Sequence, residues 1–337
     1  MAERLLNVRN LDVVLGREPG ATTLVRDLSF SLDAGELLCI VGESGCGKTI
    51  TARSVIGLNR TDPRFRLTGA IDFDGRNLLD LDERAMRQIR GARIAMIFQD
   101  PMSSLNPLHR ISAQIDEALA IHTDLGKAAR RARVLELLAA VGIPKPETRI
   151  DAYPHQFSGG MRQRAMIALA LAGDPDLLIA DEPTTALDVT TQKQILLLLA
   201  RLRAETGMAV IFITHDLGVV AEIADRVLVM YAGQCVESGP VADVFRNPQH
   251  PYTAGLLASI PAANRGKVRR LASIKGAPPV LSEGRPVGCA FRPRCDYAFD
   301  RCADEPQLTA TGSPDHPARC WLSGAARHSL AGQGAPA

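Results

Sequence analysis

The sequence predicts an α/β chain. Its parts are an open parallel sheet, an antiparallel β layer, an all-helical insert and a small irregular C-terminal extension carrying cysteines. Three observations predict it. Short apolar runs without alternation recur between helical patterns, two alternating runs stand apart from them, and proline and glycine become dense after about residue 245.

"LSFSLDAGE" (28–36) alternates Leu28, Phe30 and Leu32 with serines before a Gly turn, and "GAIDFDGRNL" (69–78) alternates Ile71 and Phe73 before Asp74-Gly75. Both suit half-buried strands of an antiparallel layer. "LLCIV" (37–41), "LLIA" (177–180), "AVIFIT" (209–214) and "VLVM" (227–230) suit parallel strands covered on both faces. A helical pattern occupies 190–205. In 109–141, Ile111, Ile115 and Leu119, then Val134, Leu137, Leu138 and Val141, recur at helical spacing, which predicts the insert. The boundaries that follow are 1–245 for the main domain with the insert at about 100–165, 246–325 for the extension, and a disordered tail over 326–337.

A formal net charge of +2 argues against a polyelectrolyte partner, so no nucleic acid is expected. Runs such as "MIALALA" (166–172) fall short of the ~20 apolar residues a spanning helix needs. No charged-then-apolar leader is seen, and the chain is expected to remain unexported.

"GESGCGKT" (42–49) matches G-x-x-x-x-G-K-[ST] in full, between a strand and a helical run. Such glycines turn backbone N–H groups towards phosphate oxygens, and the helix N-terminus adds partial positive charge. Gly42, Ser44, Gly45, Cys46, Gly47, Lys48 and Thr49 form the predicted nucleotide-binding set. Lys48 reaches the outer phosphates, Thr49 ligates Mg²⁺ and Cys46 contributes its backbone N–H rather than redox chemistry. "LLIADEP" (177–183) ends a strand in Asp181, suited to the Mg²⁺ shell, and Glu182, suited to polarise a water for in-line attack. In "FSGGMRQR" (157–164), Ser158, Gly159 and Gly160 open a helix as a second anion site. Spacing leaves open whether one chain binds two nucleotides or each motif completes a site on another subunit.

"GESGCGKT", "FSGGM", "LLIADEP", "TTALD" and "THD", in that order, resemble an ABC-type ATPase over roughly 1–245. The resemblance implies a P-loop, RecA-like core, and ATP and Mg²⁺ as cofactors. It also implies that the serine-glycine-glycine motif closes over the partner subunit's nucleotide. Gln99 in "IFQDP" then corresponds to the glutamine linking the Mg²⁺ site to the insert. Asp188 corresponds to a dimer-contact aspartate, and His215 to the histidine on the γ-phosphate. One departure is the aromatic that stacks on adenine: residues 11–29 hold no Phe, Tyr or Trp, and Leu15 lies about where it would sit.

"NPQHPYTAGLLASIP" (247–261) and "GCAFRPRCDYAFDRC" (288–302) resemble the extension of oligopeptide/dipeptide importers, closest to the first of their two ATPases. That implies a paralogous ATPase as heterodimer partner, two transmembrane permease subunits and an extracytoplasmic peptide-binding protein. The place implied is the cytoplasmic face of the inner membrane, held peripherally. Nickel and oligosaccharide importers share the extension, so another cargo remains an alternative; a soluble nucleic-acid ATPase fits one cassette poorly.

Cys289, Cys295, Cys302 and Cys320 are separated by five, six and seventeen intervening residues, without the tight pairs of zinc sites. The alternatives are a 4Fe-4S iron–sulfur cluster, zinc, or free or disulfide-linked thiols. Nine Lys or Arg against three acids between Asn264 and Cys302 would offset a thiolate cluster or meet anionic lipid.

Overall fold

The computed structural model describes residues 4–17, 20–100, 104–185, 187–260 and 274–323, with 327 and 330. The described residues fall into two compact units, one drawn from 1–5, 32–36 and 80–213, the other from 6–31, 37–79 and 214–337.

The second unit contains the predicted antiparallel layer. Strands β1 (Arg4–Leu15), β2 (Thr22–Asp33), β4 (Phe65–Phe73) and β5 (Arg76–Asn77) form a sheet in the order β2-β1-β4-β5. Leu28, Phe30 and Leu32 are buried and the serines between them only half-buried, as the alternation predicts. β1 was not predicted, because a register shift between Arg9 and Asp12 interrupts its pairing with β4. Gly69 lies at that bulge with φ +100, and a Cβ there would stand 2.4 Å from the Asn10 carbonyl oxygen.

The same unit holds a mixed sheet. β3 (Leu37–Val41) runs parallel to β9 (Arg226–Tyr231), β10 (Gln234–Pro240) antiparallel to β9, and the short β12 (Pro317–Ala318) and β11 (Thr309–Ala310) extend the edge beyond β10. All five residues of β3 are buried. The extension therefore adds strands to the sheet that carries the phosphate loop, which the sequence did not predict.

In the first unit β6 (Ile94–Ile97), β7 (Leu177–Asp181) and β8 (Ala209–Thr214) are parallel neighbours. The predicted insert is present as helices Ile111–His122 and Lys127–Ala140, burying Ile111, Ile115, Leu119, Val134, Leu137 and Leu138. Helix Val189–Thr206 matches the pattern at 190–205. β6, only four residues long, was not predicted. Among the described residues no helix is long and apolar enough to cross a membrane. Most of the predicted tail, and the basic positions 265, 267, 269 and 270, lie outside the described residues.

Polar ties fasten the extension. Glu237, fully buried on β10, accepts from the Gln249 N–H at 2.7 Å and the His250 N–H at 2.9 Å, and its other contact is His316 Nε2 at 2.7 Å. Arg319 donates to the Cys235 and Pro306 carbonyls and to Asp27 Oδ2 at 3.0 Å. These bonds tie the extension to β10 and, through Asp27, to β2. Glu237→Ala strands two buried N–H groups and an imidazole, and should destabilise the chain by about 3 kcal/mol. Denaturant unfolding checks this; a change under about 1 kcal/mol would mean that the ties are redundant.

Candidate nucleotide site and cysteine pocket

β3 delivers the chain to Gly42, where φ is +150 and a Cβ would lie 2.2 Å from the Met230 carbonyl oxygen. Only glycine fits that approach. Gly47 (φ +104) is the N-cap of helix Lys48–Val55 and has no side chain to cap the helix, the arrangement that receives phosphate. Lys48 is buried, and its Nζ donates to the Gly42 carbonyl at 2.7 Å and the Glu43 carbonyl at 3.0 Å. Cys46 is also buried, and burial pushes its thiol up, which keeps it protonated. Its N–H donates to the Glu43 carbonyl at 3.3 Å. Ser44, Gly45 and Thr49 complete the loop and the first turn.

In the other unit Asp181 ends β7 and is buried. Glu182 follows with φ +47, a left-handed backbone uncommon for a non-glycine residue. Its Oε2 accepts from Gln99 Nε2 at 3.1 Å and from Thr185 Oγ1 at 2.9 Å. The carboxylate is thus aimed by backbone and side chains together, and Gln99 and Glu182 are brought into direct contact.

Ser158 caps helix Gly159–Ala170, its hydroxyl accepting from the Met161 N–H at 3.4 Å. A Cβ on Gly160 would meet Thr191 Cγ2 at 2.7 Å, whereas one on Gly159 would meet only Leu187 Cδ2, at 3.8 Å. Asp188 caps helix Val189–Thr206 through the Thr191 N–H (2.9 Å) and Thr191 Oγ1 (2.7 Å), and these bonds hold its carboxyl below the usual range. His215 is exposed just after β8. Leu15 faces Phe65 across the β1–β4 pair, so an aromatic residue lies directly opposite it on the neighbouring strand. Directly opposed strand residues share a face, a relation invisible without the register.

Cys289, Cys295, Cys302 and Cys320 line one small pocket, together with His250, Phe291 and Trp321. Burial pushes Cys295 up to about 12 and Cys320 up to about 11, and the neighbouring cysteines add to it. Gly288 (φ +75) permits the close crossing of 288–289 over 302–303: the Cys289 N–H donates to the Cys302 carbonyl at 3.0 Å, and a Cβ on Gly288 would lie 2.5 Å from that oxygen. The Leu322 N–H donates to Cys320 Sγ at 3.5 Å. Four converging thiols with an amide donor are a donor set that suits a soft, thiolate-bound centre. Among the described residues, however, no group of three or more His, Cys, Asp or Glu side chains is arranged to hold a metal ion.

Residues 25–185 match the family model described as ABC transporter, and 236–302 the one described as oligopeptide/dipeptide transporter, C-terminal region. A probable peptide ABC transporter ATP-binding protein of Sinorhizobium fredii is 51% identical over 322 residues, covering 96% of each chain. The dipeptide transport ATP-binding protein of Escherichia coli is 49% identical, covering 90% of this chain and 92% of that one. The oligopeptide transport ATP-binding protein of Bacillus subtilis is 48% identical, covering 95% and 89%. An ATP-binding cassette solved as a dimer in a post-hydrolysis state with ADP and phosphate aligns at TM-score 0.63 and 27% identity, covering 70% of this chain and 99% of that one. The chain belongs to the ATP-hydrolysing subunits of ABC transporters, in the branch that carries the oligopeptide/dipeptide C-terminal region.

Proposed function

We propose that this chain hydrolyses ATP to energise peptide import as one ATPase subunit of a multi-subunit ABC importer. The observation that carries the cargo assignment is the continuity of likeness: relatives named for dipeptide and oligopeptide transport match cassette and extension together. The ATPase domain runs to about 245 and the extension over 246–325. The partners are a paralogous ATPase, two transmembrane permease subunits and an extracytoplasmic peptide-binding protein. The chain is held peripherally at the cytoplasmic face of the membrane.

The roles follow from chemistry. Lys48 and the loop amides hold the phosphates, and Thr49, Gln99 and Asp181 complete the Mg²⁺ shell. Glu182 activates the attacking water and His215 contacts the γ-phosphate. Gln99 is suited to report the state of the site, because it bonds the carboxylate of the base. Ser158, Gly159 and Gly160 close over the partner's nucleotide, and Asp188 contributes at the same interface. ATP drives closure only by binding the closed dimer more tightly than the open one. Phe65, opposite Leu15, is the aromatic positioned to contribute a base contact.

Cys289, Cys295, Cys302 and Cys320 would hold a 4Fe-4S cluster, which would supply local order to the extension. The convergence of four thiols and the amide donor at Cys320 support this reading.

Glu182→Gln keeps an acceptor for Gln99 and Thr185 but removes the base. In the assembled transporter, turnover should fall by roughly 10²-fold or more with ATP still bound; turnover close to wild type would remove Glu182 from this role. For the closing motif Gly159→Asp is the cleaner test, because a residue at 160 would displace Thr191. It should leave ATP binding to the isolated chain intact and abolish nucleotide-driven dimer closure. Loss of ATP binding with the fold intact would contradict a role across subunits. Anaerobically purified full-length chain should contain about four iron atoms and lose them in Cys295→Ser. Neither iron nor zinc by metal analysis would leave these cysteines as thiols.

A further inference from the structure

Glu43 is the second residue of the phosphate loop, and none of the roles above uses it. All three of its polar groups are held. Its carbonyl accepts from Lys48 Nζ at 3.0 Å, and its N–H donates to Tyr252 Oη at 2.9 Å. Its carboxylate receives both ends of one guanidinium: Arg294 Nη1 donates to Oε2 at 2.5 Å and Nη2 to Oε1 at 2.9 Å. The two partners are 251 residues apart.

Arg294 is built in from every side. Its side chain is 5% exposed. Nε donates to the Lys275 carbonyl at 2.8 Å and Nη2 to the Gly276 carbonyl at 3.2 Å, so "KGAPP" acts as a collar for it. The guanidinium stands 5.8 Å from the Tyr231 ring and 6.0 Å from the Phe291 ring. Tyr231 packs on Tyr252 at 4.7 Å, and Phe291 contacts both at 5.3 and 5.4 Å. Phe291 also lines the cysteine pocket, and Arg294 immediately precedes Cys295. One rigid cluster thus runs from the cysteine pocket to the backbone of the phosphate loop.

Two consequences bear on nucleotide. Glu43 hands its carbonyl to Lys48, so its orientation sets where the lysine amine rests. An unpaired carboxylate on the loop would also oppose a polyanionic triphosphate, and a two-pronged guanidinium cancels that charge in fixed geometry. We propose that Arg294 is a positioning residue for ATP: acting through Glu43, it makes the C-terminal extension part of the nucleotide site. The phosphate loop of this chain is therefore incomplete without a residue that lies outside its cassette.

The test measures equilibrium binding of ATP with Mg²⁺ to the full-length chain, with thermal melts to establish folding and Lys48→Ala as the loss-of-site control. Arg294→Ala should weaken ATP binding by about tenfold or more. Adding Glu43→Gln to it should recover a substantial part of that loss, because the orphaned carboxylate is gone. Arg294→Lys, which keeps charge but loses the fork, should fall between. Wild-type affinity in Arg294→Ala, or a double variant as weak as the single one, overturns the proposal. If Arg294→Ala does not fold, Arg294→Lys decides: weakened ATP binding supports the proposal and wild-type affinity overturns it. ATP binding that survives Lys48→Ala would instead fault the assignment of the loop itself.

Discussion

The structure of the nucleotide site depends on one close approach, that of Gly42 to the carbonyl of Met230. A buried parallel strand must end where a loop of backbone donors begins, and the backbone of β9 leaves no room for a Cβ there. That constraint places Lys48 under the loop, where its amine rests on the Gly42 and Glu43 carbonyls. The next residue of β9, Tyr231, carries the constraint onward. It anchors the aromatic cluster that receives the extension, so the strand that shapes the loop also fixes what holds the loop from outside.

The extension is consequently more than an appendix to a cassette. It adds β11 and β12 beyond β10, ties into that strand through Glu237 and Arg319, and reaches the phosphate loop through Arg294. Buried charges such as these contribute little net stability when paired and cost heavily when one partner is removed. Their value lies in specificity: each is satisfied only when several partners from different segments meet it at once, which fixes how the extension sits on its unit.

Much of this site was legible in the sequence because phosphate chemistry demands fixed residue types at fixed spacing. The loop 42–49, the strand that ends at Asp181 just before Glu182, and the helix opened by Ser158 all took the predicted local forms. Buried strands were legible where apolar runs were unbroken, and helices where the period held over several turns. What escaped has physical reasons. β1 is interrupted by a bulge and β6 is four residues long. The pairing of Glu43 with Arg294, and of Leu15 with Phe65, depends on tertiary placement or strand register that no local pattern encodes. The burden on Thr191, which packs on Gly160 while bonding Asp188, is likewise visible only in three dimensions.

ATP hydrolysis by this chain energises peptide uptake. The most direct measurement is substrate accumulation in vesicles that hold this chain with the permease subunits and peptide-binding protein proposed above, ATP on the cytoplasmic side and a mixture of labelled peptides outside. ATP-dependent accumulation of peptides is expected, which unlabelled peptide competes away and Lys48→Ala abolishes. Accumulation of nickel or an oligosaccharide in place of peptide, from the same intact complex, would contradict it.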